Sequence, residues 1–537
     1  MVAASAFHQV LDPASNLALT ALIALVPLIV LLVVLAVFRV TAWVATIIGA
    51  VVTVGLAITV WHTPVDLAGK SFLYGALTGL IAIDWITVWG VVIFNTLMVT
   101  GVFPTFQRWL LSQATADIRV QTILLAWAFG ALLEGLVGFG YPWAVVAPIL
   151  IALGVVEIDA IRVAAIANNA PVSFGALGAP IISLATVTGL PLNALTASIG
   201  RIVAVLALLP PWILIYLVSG RRGLRDGWPL AIVGSLGYIL GQFPTSQFFG
   251  PYLPDVVGAL TAFTATLLFL RVWRPRTVLG YGGVPIADDA QHPEAPLPLR
   301  QVAGALMPFF VLIAVVVAWT GPWSKLPTYS LAKHSVTALS SITGKPVVSL
   351  FNFTPFIAGT AILSAWVVML LLLRPSGAQV RDVAARTFHQ MWGAVIVGIV
   401  IFGLAFVFTF GGLGNSLAFA FSKAGTAFIL IAPILGWIGV ALSGSNTSTN
   451  ALFGAFQNTI GKLLHFPLLL LPSLNSVGAE VGKPVAPQTA SVGVSTTSYV
   501  RKEGAVIRHN LPWTLVLLAY LVVIGVLYYY FFPAAVS

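Results

Sequence analysis

Apolar runs long enough to cross a lipid bilayer recur from one end of this 537-residue chain to the other. A hydrocarbon core about 30 Å thick takes about 20 residues of helix. Such runs extend from Leu17 to Phe38, Thr41 to Val60, Trp85 to Gly101, Asn193 to Ser219, Pro229 to Phe243, Val256 to Leu270, Val302 to Thr320, Pro355 to Leu373, Trp392 to Gly412 and Leu511 to Phe531. Lipid offers backbone polar groups no partner, so each run must satisfy its own hydrogen bonds as a helix. Composition agrees, with 59% hydrophobic residues and 7% charged, against roughly 25% charged in an ordinary soluble domain. A soluble globular protein, a disordered chain and a disulfide scaffold are excluded, the last because there is no cysteine. Thiolate nucleophiles and Cys-ligated metals go with it. The first run is too long for a signal-peptide core, follows no basic segment and precedes Arg39, so it is expected to stay as a helix with the N-terminus outside.

Two regions break the pattern. From Gln121 to Leu133 and from Phe139 to Gly154 the apolar stretches are half-length, and the segment from Glu134 to Gly138 separates them. At 1.5 Å per residue each arm reaches about 20 to 24 Å, which predicts a re-entrant hairpin. The form recurs from Thr426 to Leu442 and Ala451 to Leu464, around the polar tip from Ser443 to Asn450. Each hairpin is followed by a span whose middle is polar and interrupted by Gly and Pro, from Asn168 to Pro180 and from Asn475 to Gln488. Both predict unwound helices, tolerable only where protein or a wet cavity satisfies the backbone.

The net charge of +10 would suggest a nucleic-acid partner in a soluble protein, but no large basic cluster exists. If the N-terminus is outside and each hairpin returns to its side of entry, the outer basic residues are Lys70, Lys325, Lys333, Lys345, Lys423 and Lys462. Arg201 and Lys483 lie within spans, and every other Lys and Arg is inside. That distribution follows the positive-inside rule and puts the C-terminus outside as well. The halves also match in spacing: Gly135 and Gly444 are 309 residues apart, Asn168 and Asn475 are 307 apart. Entering from opposite sides, they form an inverted repeat, the pattern that points to a secondary-transporter site at the midplane.

The fold class expected is thus an all-α polytopic membrane protein of about 12 spans, including two broken helices, plus two re-entrant hairpins. Residues 1–71 are scaffold helices. Residues 72–219 form the first repeat, with its hairpin near 121–154 and its broken helix near 158–189. Residues 220–391 connect, with a cytoplasmic loop at 272–301 and an external segment at 321–353. Residues 392–537 form the second repeat, with a hairpin near 426–464 and a broken helix near 466–498.

The sequence from Leu133 to Gly140, the run from Asn168 to Pro180, the run from Gly444 to Phe453 and the segment from Gly482 to Gln488 together resemble the L-lactate permease family. The likeness extends to the segments Asp12 to Asn16 and Gly250 to Asp255. It implies uptake of L-lactate, with D-lactate and glycolate as companions, by proton symport across the inner membrane. Ser445, Asn446 and Thr447 look like the carboxylate- and sodium-binding motif of related carriers. Where the family often has an acid this chain has Asn446, where Ala is usual it has Tyr141, and Glu480 has no familiar counterpart.

A lactate anion needs compensation of its charge, a partner for its hydroxyl and a small apolar wall for its methyl. Lys483 is the natural electrostatic partner, with pairing to Glu480 as the structural alternative. Ser443, Ser445, Asn446, Thr447 and Ser448 add donors at a half-helix N-terminus. Asn168, Asn169, Ser173 and Gln488 are further ligands or satisfiers of unwound backbone. Glu134, at the first tip, is the candidate proton carrier, with a salt bridge to Arg201 or Lys483 as its alternative. Arg201 is a second coupling candidate, and Asp84 and Glu480 are expected to be solvated near the outer side. No His-Glu-x-x-His, Walker loop or metal-ligand cluster occurs, so neither cofactor nor metal is expected, nor an enzyme. The alternatives are a sodium-coupled carboxylate symporter, a channel and, from another class, a membrane-embedded enzyme.

Overall fold

A computed structural model describes residues 7–537 except 37, 39, 114, 139, 287–296 and 322. Arg39, Phe139 and much of the expected 272–301 loop therefore lie outside the described residues. The chain is predominantly helical, and ten described helices are long and apolar enough to cross a membrane, or eleven if one bent pair counts as a span. Shorter apolar helices run over Tyr141–Ala152 and Ala358–Leu373.

The helices fall where the apolar runs are, but several are longer. Continuous helix extends over Val65–Val99, with one π-helical stretch at Gly79–Asp84. The run read from Trp85 is its second half. Asp84, expected in solvent, is instead inside the helix with 5% of its surface exposed. Likewise helix spans Gly377–Phe410, opened by a Ser376–Gln379 capping box. The helix over Pro210–Phe248 bends at Gly220 (φ 65°, ψ −167°). One element has no helical counterpart in the sequence reading. Strands Ala332–Leu339 and Pro346–Phe353 pair antiparallel, from Ala332 opposite Phe353 to Leu339 opposite Pro346, and Phe7–His8 adds a parallel strand. This small sheet occupies most of the expected external segment.

The two half-length pairs form helix–turn–helix units. The first joins Ile118–Leu136, whose apolar window is wholly buried, to Tyr141–Ala152. The second joins Phe428–Ser443 to Asn446–Leu463, and its turn is shorter than the sequence suggests. The Ser445 hydroxyl accepts from the Ser448 N–H at 3.2 Å, so helix begins at Asn446. After the first pair, Glu157–Ala167 and Val172–Thr188 meet at a 66° bend. After the second, helix runs over Leu470–Gly482, tightens at Lys483–Val485 and resumes at Pro487–Val494. The second break is thus confined to the residues around Lys483, and Asn475 and Glu480 sit on regular helix before it. Glu480, expected in solvent, is fully buried.

Helices Phe428–Ser443 and Leu470–Gly482 cross at backbone distance. A Cβ on Gly436 would lie 2.2 Å from the Asn475 carbonyl oxygen, and one on Gly478 would lie 2.2 Å from that of Pro433. Small residues at such crossings let backbones approach where no hydrophobic force drives helices together. Gly478→Leu is therefore expected to cost at least about 1–3 kcal/mol through overpacking, read as a lowered melting temperature of detergent-solubilised protein. An unchanged melting curve would show that this crossing tolerates a side chain.

Candidate functional site

The turns of both helix–turn–helix units and both helix breaks converge on one cavity of about 440 Å³, a size ordinary for a small-molecule site. Glu134 and Val137 come from the first turn, Ser443 to Ser448 from the second, Val172, Gly175 and Ala176 from the first break, and Lys483, Gln488 and Thr489 from the second. Helices Val65–Val99 and Gly377–Phe410 supply another wall, including Asp84, Thr87, Gln390 and Gly398. The ionisable groups among the described lining residues are Asp84, Glu134, Tyr141 and Lys483.

At its centre is a buried ion pair. Lys483 Nζ donates to Glu134 Oε1 at 2.5 Å, with the side chains 5% and 2% exposed. The other carboxylate oxygen accepts from Asn168 Nδ2 at 3.0 Å. Gly175 makes this geometry possible, because a Cβ there would sit 2.6 Å from Glu134 Oε1. Lys483 thus pairs with a residue 349 positions away, rather than with Glu480 on its own helix.

Glu480 is held from behind. Its Oε2 accepts from both the backbone N–H, at 3.2 Å, and the hydroxyl of Ser173. Two further bonds cross between the halves, Ser183–Thr447 and Asn450–Pro180, and two more tie the second turn to the helix before its own break. The Ser183 hydroxyl donates to the Thr447 carbonyl at 2.8 Å, Asn450 Nδ2 donates to the Pro180 carbonyl at 2.9 Å and to the Ser476 hydroxyl at 3.0 Å, and Asn446 Nδ2 donates to the Ser476 carbonyl at 3.2 Å. The first turn therefore binds the second break, and the second turn binds the helix leaving the first break.

Of the residues singled out from sequence, Glu134, Lys483, Ser443, Ser445, Asn446, Thr447, Ser448 and Gln488 line the cavity. Asn168 and Ser173 lie behind its wall, orienting Glu134 and Glu480. Asn169 is fully buried, and its side-chain nitrogen and oxygen have no partner among the described residues. Arg201 is elsewhere: its guanidinium donates to the Ala535 carbonyl at 2.5 Å, which ties down the C-terminal end. Sequence reading missed Asp84 and Gln390. Asp84 had a signal, since it interrupts an apolar stretch that is continuous once Val65 to Val99 is taken as one helix. Gln390 had none, being one polar residue well inside a long helix.

A family model described as L-lactate permease matches residues 20–532. Glycolate permease GlcA of Escherichia coli strain K12 is 34% identical over 98% of this chain and 98% of its own. The L-lactate permease of the same strain is 31% identical over 95% of this chain and 96% of its own. The crystal structure of the YdaH transporter of Alcanivorax borkumensis overlays 87% of this chain and 88% of its own at 16% identity and a TM-score of 0.46, too distant to carry argument.

Proposed function

The chain belongs to the L-lactate permease family and is a multi-pass membrane transporter, not an enzyme; on that premise we propose that it takes up L-lactate, and with it D-lactate and glycolate, by proton symport across the inner membrane. The observation that carries this reading is the buried pair of Glu134 and Lys483 on the cavity wall. A lactate carboxylate needs the Lys483 charge, and Glu134 already holds it. Removing a cation's buried partner leaves an uncompensated charge at a cost of several kcal/mol. A proton on Glu134 cancels its charge and frees Lys483, so anion and proton enter together; neither is stable there alone. Asn168 keeps the carboxyl in place through both states.

The remaining needs of the substrate are met nearby. The N-terminus of helix Asn446–Leu463 opens on the cavity with its positive dipole end. Ser443, Ser445 and Gln488 offer partners for the 2-hydroxyl, and Val137, Val172 and Ala176 an apolar wall for the methyl. The crosswise pairing of turns and breaks supports an inverted repeat whose hairpins are re-entrant, with both termini periplasmic by the distribution of basic residues. It also supports elevator motion, because the turns and breaks are bonded into a unit that can slide against helices Val65–Val99 and Gly377–Phe410.

Sodium-coupled symport is the second reading, favoured by Asn446 Oδ1, a buried acceptor without a partner among the described residues. Proteoliposomes with independent pH and sodium gradients separate the two. Labelled L-lactate is expected to accumulate under an inward proton gradient without sodium, and unlabelled glycolate and D-lactate to compete in counterflow. Accumulation that follows sodium at constant pH would overturn proton coupling, and failure of every 2-hydroxy acid to exchange would overturn the substrate class.

A further inference from the structure

Asp84 is the acid in this cavity with no counter-charge. The residue is 5% exposed, and its Oδ2 is buried with no hydrogen-bond partner among the described residues. It closes the π-helical stretch Gly79–Asp84, a local geometry that appears mostly at functional sites in helices. The elements packed on that stretch supply no cation. Helix Gly175–Thr188 holds no titratable residue. On helix Gly377–Phe410 the residue in contact is Gly398, whose Cβ would meet Asp84 Oδ1 at 2.2 Å. The titratable groups of that helix, Arg381, Asp382, Arg386 and His389, all precede Gly398 by nine residues or more, about 13 Å along the axis. On its own helix Asp66 pairs with Lys70 at 3.5 Å, 14 residues before Asp84, and the Tyr74 ring, ten residues before it, stacks on Phe351 of the small sheet. Of the cavity's other ionisable groups, Tyr141 is a neutral phenol and Glu134 and Lys483 satisfy each other.

An anion entering this cavity meets Lys483 on one wall and Asp84 on another. An ionised Asp84 would repel it across a low-dielectric space with nothing to offset the repulsion. Protonated, the same carboxyl is a hydrogen-bond donor facing the cavity. We propose that Asp84 is a second proton-binding site of the transport cycle, filled together with Glu134 when the carboxylate substrate binds, so that each monovalent anion moves with two protons. Two protons and one anion carry one net positive charge inward. Transport is then electrogenic, and each 59 mV of inside-negative potential raises the equilibrium accumulation ratio about tenfold.

This inference rests on the carrier reading above, and one experiment tests the two separately. The full chain is reconstituted in proteoliposomes at equal pH inside and out, without sodium, and an inside-negative potassium diffusion potential is imposed while labelled L-lactate uptake is followed. The wild type is expected to accumulate lactate in response to potential alone. Asp84→Asn, which keeps the neutral amide shape of the protonated acid, is expected to lose that response while accumulating lactate under a pH gradient through Glu134. Asp84→Ser serves as a second variant of different size, and a melting curve of the detergent-solubilised protein matching that of the wild type establishes that each variant is folded. Electroneutral uptake by the wild type, a potential response retained by either folded variant, or a response that requires sodium would overturn the two-proton assignment. Absence of lactate exchange by the wild type would sink the carrier reading itself.

Discussion

Glu134→Gln is expected to leave counterflow of labelled L-lactate running while removing one of the two proton-driven tenfold factors per pH unit from its accumulation under a pH gradient. Glutamine copies the shape of the protonated carboxyl and its contact with Asn168, but it neither takes up nor releases a proton. Lys483 is then free at every pH, so anion binding and exchange proceed without a proton at position 134. In the wild type each pH unit across the membrane supplies about 1.4 kcal/mol per coupled proton, a tenfold accumulation ratio. The variant should bring the Glu134 share of that ratio to one and weaken the pH dependence of exchange. Accumulation that is unchanged across the pH range would remove Glu134 from the coupling step.

The second large effect concerns the other half of the pair. Lys483→Met leaves the buried Glu134 without its cation, and breaking a buried pair in this way costs about 3–5 kcal/mol. The melting temperature of the detergent-solubilised protein should fall, and exchange should be lost because the carboxylate of the substrate has no counter-charge. Combining Lys483→Met with Glu134→Gln removes both charges, so stability should return towards that of the wild type while transport stays absent. The double variant thus separates folding from function. If Lys483→Met alone retained both stability and uptake, the anion site would have to be sought elsewhere in the cavity.

Much of this site is legible in the sequence alone. Glu134 and Lys483 stood out because a charge in a span is costly and the few that persist are seldom idle. Their setting at a half-length turn and at a Gly/Pro break was readable from local rules. The choice of partner was not: Lys483 has Glu480 three positions away and Glu134 349 away, and it pairs with the distant one. Glu480 turns instead to Ser173, whose backbone N–H is freed by the first break. Arg201 carried the same warrant as Lys483 in sequence, yet its guanidinium faces the C-terminal segment. The two antiparallel strands of the small sheet fall within residues 321–353, between apolar spans, where the sequence predicts only an external segment.

What the sequence determined by itself is what the bilayer as a solvent governs: the class of the protein, the places of most of its spans, the two half-length pairs and the presence of two breaks. Those follow from length, hydropathy and the need to satisfy backbone groups, all of which act over a turn or two of chain. Only the tertiary structure decided that Asp84 leaves solvent to line the cavity, that Glu134 answers Lys483, and that each turn seats against the break of the other half. Burial and ion pairing are properties of segments hundreds of residues apart brought within a few ångströms, and no local rule carries that information.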